Sequence, residues 1–285
     1  MSHIPHSYER QVLGYTETVS IIMKKQSPYL SVIALIARQS FGAVLLVLLI
    51  TTVLRALAYQ KTFSDALAAY HAYRDLGFIN LESVFTSSGG TFAINVTRIS
   101  LLLISFLLCR IFCERGSRCG DTLMRLRVTE RGIFVCHAIY AAVIYLLYYA
   151  AELLLSYAVC LYYLQHAPAE YVGPQTLFLA FYRSNYLHSL LPLADIAVWV
   201  RNGLLYFALS LAAAEFPCRQ RRRHFGGSIL ALCVCTLVFF IREIGDAFNS
   251  FAVIFCSLCC IAGSIYFVFF KNHESDEETE GGEVL

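Results

Sequence analysis

Six stretches of this chain run for roughly 15 to 25 residues almost without charge, and nothing else in the sequence restricts the fold so strongly. Inside a bilayer no water is present to satisfy backbone N–H and C=O groups. Such runs therefore have to be helices that close their own hydrogen bonds. The expected fold class is all-α, a polytopic membrane protein of six transmembrane helices. Composition agrees. Hydrophobic residues make up 58% of the 285 and charged residues 15%, against about 25% in soluble domains. This excludes a disordered chain and a collagen. A net charge of +2 excludes a nucleic-acid binder driven by charge.

The spans are placed at about 40–58, 92–113, 133–158, 190–212, 226–241 and 250–270. About 20 residues cross the roughly 30 Å hydrocarbon core, so the fifth, opening at Gly226-Gly227, is marginal. The third apolar stretch continues to Leu164 and makes about 48 Å of helix, which must tilt, break or project.

Lys and Arg are unevenly shared. Fifteen fall in the N-terminal segment 1–39, the connections after the second and fourth spans, and the tail. Six fall on the other side (Arg55, Lys61, Arg74, Arg98, Arg183 and Arg242), and Arg201 lies inside the fourth span. The positive-inside rule then places both termini in the cytoplasm and the loops 59–91 and 166–189 outside a plasma membrane. Within the first outer loop, Ser64 to Gly77 has the start, body and stop of a short capped helix. In the second, Thr176–Tyr182 suits the interface. The first 28 residues are polar, without a visible cleavable signal peptide. The segment 271–285 is acidic.

Motifs of soluble enzymes are missing. There is no Gly-x-x-x-x-Gly-Lys-Ser/Thr loop and no His-Glu-x-x-His. An intramembrane serine protease would have only Ser228 and His137 to draw on. No catalytic residue, metal site or cofactor is expected in this chain. The eleven cysteines avoid the long outer loops and read as small membrane hydrophobes, Cys256-Ser-Leu-Cys259 included. The sequon Asn95-Val-Thr97 abuts the second span and is read as chance.

Charged groups within spans are costly and face protein, a counter-charge or water. Glu152, Asp195 and Arg201 are the intramembrane polar candidates. Helix rise puts Glu152 about 28 Å and Arg201 about 22 Å from the inner ends of their helices. They could pair, either to fix register or to line a path, with Asp195 as the rival partner of Arg201. Tyr140, Tyr145, Tyr148 and Tyr149 either line a path for an amphipathic substrate or pack with their hydroxyls bonded.

The connection Glu114–Phe134 alternates Leu123, Leu126 and Val128 with charged residues, and Thr129 reads as a helix start. It suits either docking into a groove of a cytoplasmic partner or a basic loop at the headgroups. It resembles the inner loop of permease subunits of type-2 ABC exporters. The resemblance rests on Glu114, Thr122, Leu123, Leu126, Val128, Thr129, Arg131 and Ile133, over residues 114–137, together with the six-span topology. The family has Pro where this chain has Arg127, and Lys where it has His137. The resemblance implies a separate ATP-binding subunit, coupled through Glu114, Thr122, Leu123, Leu126, Val128 and Arg131. It also implies a second membrane subunit, identical or different. The alternatives are a non-transporting multi-pass protein, such as an assembly factor or sensor, and an ion-coupled secondary carrier.

Overall fold

The computed structural model describes residues 28–73, 77–111, 129–193, 195–221, 226–239 and 247–270. Among them the regular structure is helical throughout. In chain order the helices are α1 (Pro28–Ala72), α2 (Leu81–Thr86), α3 (Ser88–Arg110), α4 (Glu130–His166), α5 (Thr176–Arg183), α6 (Asn185–Leu190), α7 (Ile196–Arg221), α8 (Ser228–Phe239) and α9 (Ala247–Phe269), with a 3-10 turn at Ala169–Tyr171.

Five helices are long and apolar enough to cross a membrane: Tyr29–Ala72, Ser88–Arg110, Glu130–His166, Ile196–Gln220 and Phe248–Phe269. The expected fifth span, 226–241, forms the 12-residue α8. Over the described residues it is about 18 Å long, against a hydrocarbon core of roughly 30 Å. Large apolar side chains lie exposed along the long helices. Leu46, Leu49 and Ile50 on α1, Leu146 and Leu154 on α4, and Phe251 and Phe255 on α9 form the surface that lipid would cover.

Local chemistry sets the helix ends. The Ser87 hydroxyl accepts from the Gly90 N–H at 3.1 Å and starts α3. Thr129 does the same for Gly132 at 3.2 Å and starts α4, as the sequence suggested. Gly89 lets α3 begin against Ala58 and Thr62 of α1, where a Cβ would come within 2.0 Å of Thr62 Oγ1. The segment Ser64–Gly77 is not a separate helix, since α1 runs unbroken to Ala72. Polar residues there end the apolar run but not the helix.

α1 packs along α3 and α4, α4 along α7, and α7 along α9, which also holds α8. Buried residues recur on α1 at Ser40, Val44, Leu48, Thr51, Arg55, Tyr59 and Phe63, a seam of three- and four-residue steps. One hydrophobic core, around Val44, Ile104, Tyr145 and Leu205, fills the middle of the bundle. A second is rich in aromatics and gathers Tyr59, Phe63, Phe78, Phe85, Tyr163 and Phe181 at the far end of α1 and α4. A third, smaller core joins Phe134, Cys218 and Phe267 at the opposite end.

The beginning of α1, the end of α3 and the start of α4 share that opposite end. There Cys136 Sγ lies 3.8 Å from Tyr29 O, and Leu108 is buried in the same core as Cys136. The end of α9 arrives at the same place, where Arg131 Nη2 donates to Phe269 O at 3.3 Å. The described chain therefore enters and leaves on one face of the bundle.

Candidate functional site

A deeply buried polar cluster centres on Glu152, in the seam of α4, and lies where the middle core meets the aromatic one. Its partner is Arg55 of α1, whose Nη1 donates to Glu152 Oε2, both side chains being no more than 2% exposed. Tyr186 of α6 donates to the same oxygen at 3.1 Å, and Thr97 of α3 at 3.3 Å. Arg55 also donates from Nε to Thr51 O at 3.1 Å and from Nη1 to Thr97 Oγ1 at 3.0 Å. Four helices thus share one carboxylate oxygen. The other oxygen, Oε1, is equally buried and receives no hydrogen bond from the described residues.

This corrects the expected Glu152–Arg201 pairing. α1 and α4 run parallel, as Ser40 Oγ meeting Tyr140 OH at 2.9 Å near one end and Phe63 meeting Tyr163 near the other make plain. Arg55 is about 22 Å along α1 from Ser40, level with Glu152. The charge count assigns it to the outer side, although it lies within the span expected over 40–58. The legible signal was phase, since Arg55 falls on the seam with Thr51 and Tyr59.

Arg201 sits elsewhere, on α7. Its Nε and Nη2 donate to Asn202 Oδ1 at 3.2 and 3.1 Å, and Asn202 Nδ2 donates to Ser189 O at 2.8 Å. Asp195 lies at the α7 start, where Oδ1 accepts from Ala197 N at 2.9 Å. It acts as a helix cap rather than as a group deep within a span, and its charge acts on Arg201 across the first turns of the same helix.

The four candidate tyrosines among those of α4 have bonded hydroxyls. Tyr140 meets Ser40, Tyr145 meets Ser105 at 2.8 Å, Tyr148 donates to Thr97 O at 2.7 Å, and Tyr149 donates to Leu190 O. A hydroxyl inside a bilayer finds its partner on a neighbouring helix, and small serines let the helices approach closely.

A second buried carboxylate, Glu215 near the end of α7, lies beyond the span expected over 190–212 and is missing from the sequence candidates. It is 0% exposed and ion-paired with Arg219. Its Oε2 accepts from Ser228 of α8 and Ser264 of α9, both at 2.8 Å. Arg219 in turn lies over the Phe267 ring at 4.6 Å. Glu215 therefore ties the end of α7, the start of α8 and the last turns of α9 together.

Of the residues expected to meet an ATPase, Glu114, Thr122, Leu123, Leu126 and Val128 lie outside the described residues. Arg131 is in the first turn of α4, exposed, with its guanidinium 5.8 Å from the Phe269 ring centre. Nine cysteines among the described residues are free thiols. Asn95 and Thr97 both lie within α3, and Thr97 faces Glu152.

Fold and site together define an all-helical protein with several helices long and apolar enough to cross a membrane, stapled internally by two buried carboxylates. No protein-family model, curated protein or solved structure matches the chain.

Proposed function

We propose that this chain is the permease subunit of an ABC exporter in the plasma membrane. In this reading it crosses six times with both termini cytoplasmic and works with a second membrane subunit and a separate ATP-binding subunit. The supporting observation is where the helices deliver the connection 114–131. α3 ends at Arg110 and α4 begins after Thr129 on the face where Arg131, Arg219 and the end of α9 also gather. A rigid helix on each side of a basic, leucine-bearing connection gives a push from a cytoplasmic partner a direct route into the spans. The start of α8 and the end of α9 meet at Glu215, as an out-and-back passage requires. ATP hydrolysis belongs to the partner, because the chain carries no phosphate-binding loop.

Leu126→Asp tests the reading. A charge at the centre of a small interface should cost about 2 kcal/mol or more. The variant should insert normally yet lose a co-purifying ATPase and export together, while Glu278→Ala in the tail changes neither. Retention of the ATPase with full activity would leave 114–131 as a headgroup loop.

One observation favours the alternative of a non-transporting assembly factor or sensor. The tyrosine hydroxyls and both buried carboxylates are engaged in holding helices together. A chain that purifies alone from its native membrane, with no ATPase under mild detergent, would select it.

A further inference from the structure

Past the Arg55–Glu152 contact, α1 and α4 run on side by side and leave a partly open cavity of about 310 Å³ between them. Ala56, Gln60 and Phe63 of α1 and Leu155, Ala158 and Tyr162 of α4 are among the residues that line it. Two small side chains, Ala56 and Ala158, make the room. The rings beside them are held in place. Phe63 stands edge-on to Tyr162 at 5.2 Å and to Tyr163 at 6.1 Å, and the Tyr163 hydroxyl donates to Ile79 O at 2.8 Å. Cavities that bind small molecules start at about 300 Å³ and are mostly apolar, with a few polar groups that orient the ligand.

Charge, surroundings and depth choose the occupant. No charged residue lines the cavity, so an ion would enter it without a counter-charge. Its flanks are apolar and open, with Leu57 on α1 and Leu154 and Leu161 on α4 all exposed. Its depth follows from α3. Gly89, in the first turn of α3, lies against Ala58 and Thr62, level with the cavity. From there α3 runs 23 residues, about 34 Å, which is one hydrocarbon core. The cavity therefore lies near an edge of that core, where lipid tails meet headgroups. Gln60 in its wall and the exposed Lys61 beside it supply polar groups at that edge.

We propose that this cavity is a lipid site, which takes the upper part of one acyl chain of a bilayer phospholipid while the headgroup stays at the edge near Gln60 and Lys61. The site rests on the long apolar helices lying in a bilayer and not on the exporter reading.

Retention of a photoactivatable lipid tests it. The protein is placed in nanodiscs of phosphatidylcholine carrying a diazirine near the carboxyl end of one chain, then extracted and washed in mild detergent before illumination. The washed protein should keep crosslinks within 56–63 and 155–162. Phe92, exposed on α3 at a similar depth, should lose its own. Ala158 is exposed, so Ala158→Phe puts a ring into the cavity without entering the core. That variant should lose the retained crosslinks. Crosslinks that wash away at both places alike, or that persist in Ala158→Phe, overturn the proposal. A density map of the washed wild-type protein needs no variant. It should show an elongated, tail-shaped density between α1 and α4 at Ala158. An empty gap, or a compact density there, overturns the proposal equally.

Discussion

The Arg55 guanidinium on α1 donates to Oε2 of Glu152 on α4, at the level where the middle core gives way to the aromatic core. Two parallel helices are thereby held in one register by one charged contact. Removing one partner of such a pair leaves a buried charge.

The first prediction follows from that asymmetry. Arg55→Met should destabilise by about 3–5 kcal/mol, and Glu152→Leu comparably. The double variant should recover a large part, because neither charge is then left alone. Thermal unfolding in nanodiscs measures all three. Glu152→Gln combined with Arg201→Ala should show a weaker coupling than Glu152 with Arg55. Coupling between Glu152 and Arg201 larger than that between Glu152 and Arg55 would contradict the observed pairing.

Glu215 offers a graded series. Its Oε2 serves Ser228 and Ser264, and its Oε1 serves Arg219. Glu215→Leu leaves both serines without an acceptor and should be the most damaging. Glu215→Gln keeps an acceptor oxygen and should cost less. Ser264→Ala removes one interhelical hydrogen bond, about 0.6 kcal/mol and at most about 1.7 in membranes. Unfolding temperatures in the reverse order would mean that α8 and α9 are held by packing alone.

The third prediction separates scaffold from substrate path. If the Tyr145 hydroxyl exists to meet Ser105, Tyr145→Phe and Ser105→Ala should each cost about 1 kcal/mol and should not add. Tyr140 and Ser40 should behave alike. An activity loss in Tyr145→Phe without any loss of stability would reassign the tyrosines to a path.

Much of this architecture is legible in the sequence, and what is not has physical reasons. Charge-free runs reveal helices because a bilayer allows little else, and Thr129 is visible as a cap. Hydropathy, however, reports the solvent and not the helix. α1 was expected over 40–58 but runs from Pro28 to Ala72, its last turns carrying polar residues from Lys61 onward. The charge count likewise assigns Arg55 to the outer side, although its spacing from Thr51 and Tyr59 puts it on the buried seam. Glu215 lies past the span expected over 190–212, because α7 continues through Pro217 to Arg221 after its apolar run has ended. Which serine meets which tyrosine depends on how the helices are placed side by side, and no periodicity within one helix contains that.

Sidedness carries the functional reading furthest. Gln175, just before α5, is exposed near the outer aromatic core, and Gln220 is exposed beside Arg219 at the opposite end of the bundle. Between them α7 runs from Ile196 to Arg221, about 39 Å, enough to cross the hydrocarbon core. Among the described residues Arg110, Arg131 and Arg219 lie at the same end as Gln220, the end that the positive-inside rule would put in the cytoplasm. In a cysteine-depleted background, Gln175→Cys should therefore react with an impermeant maleimide added to intact cells. Gln220→Cys should react only after the membrane is opened. Labelling of both from outside would mean that α7 does not cross. Labelling of Gln220→Cys alone would invert the protein and put the connection 114–131 outside the cell, out of reach of any ATPase. Only the first pattern leaves Arg131 and the start of α4 where a cytoplasmic partner can press on them.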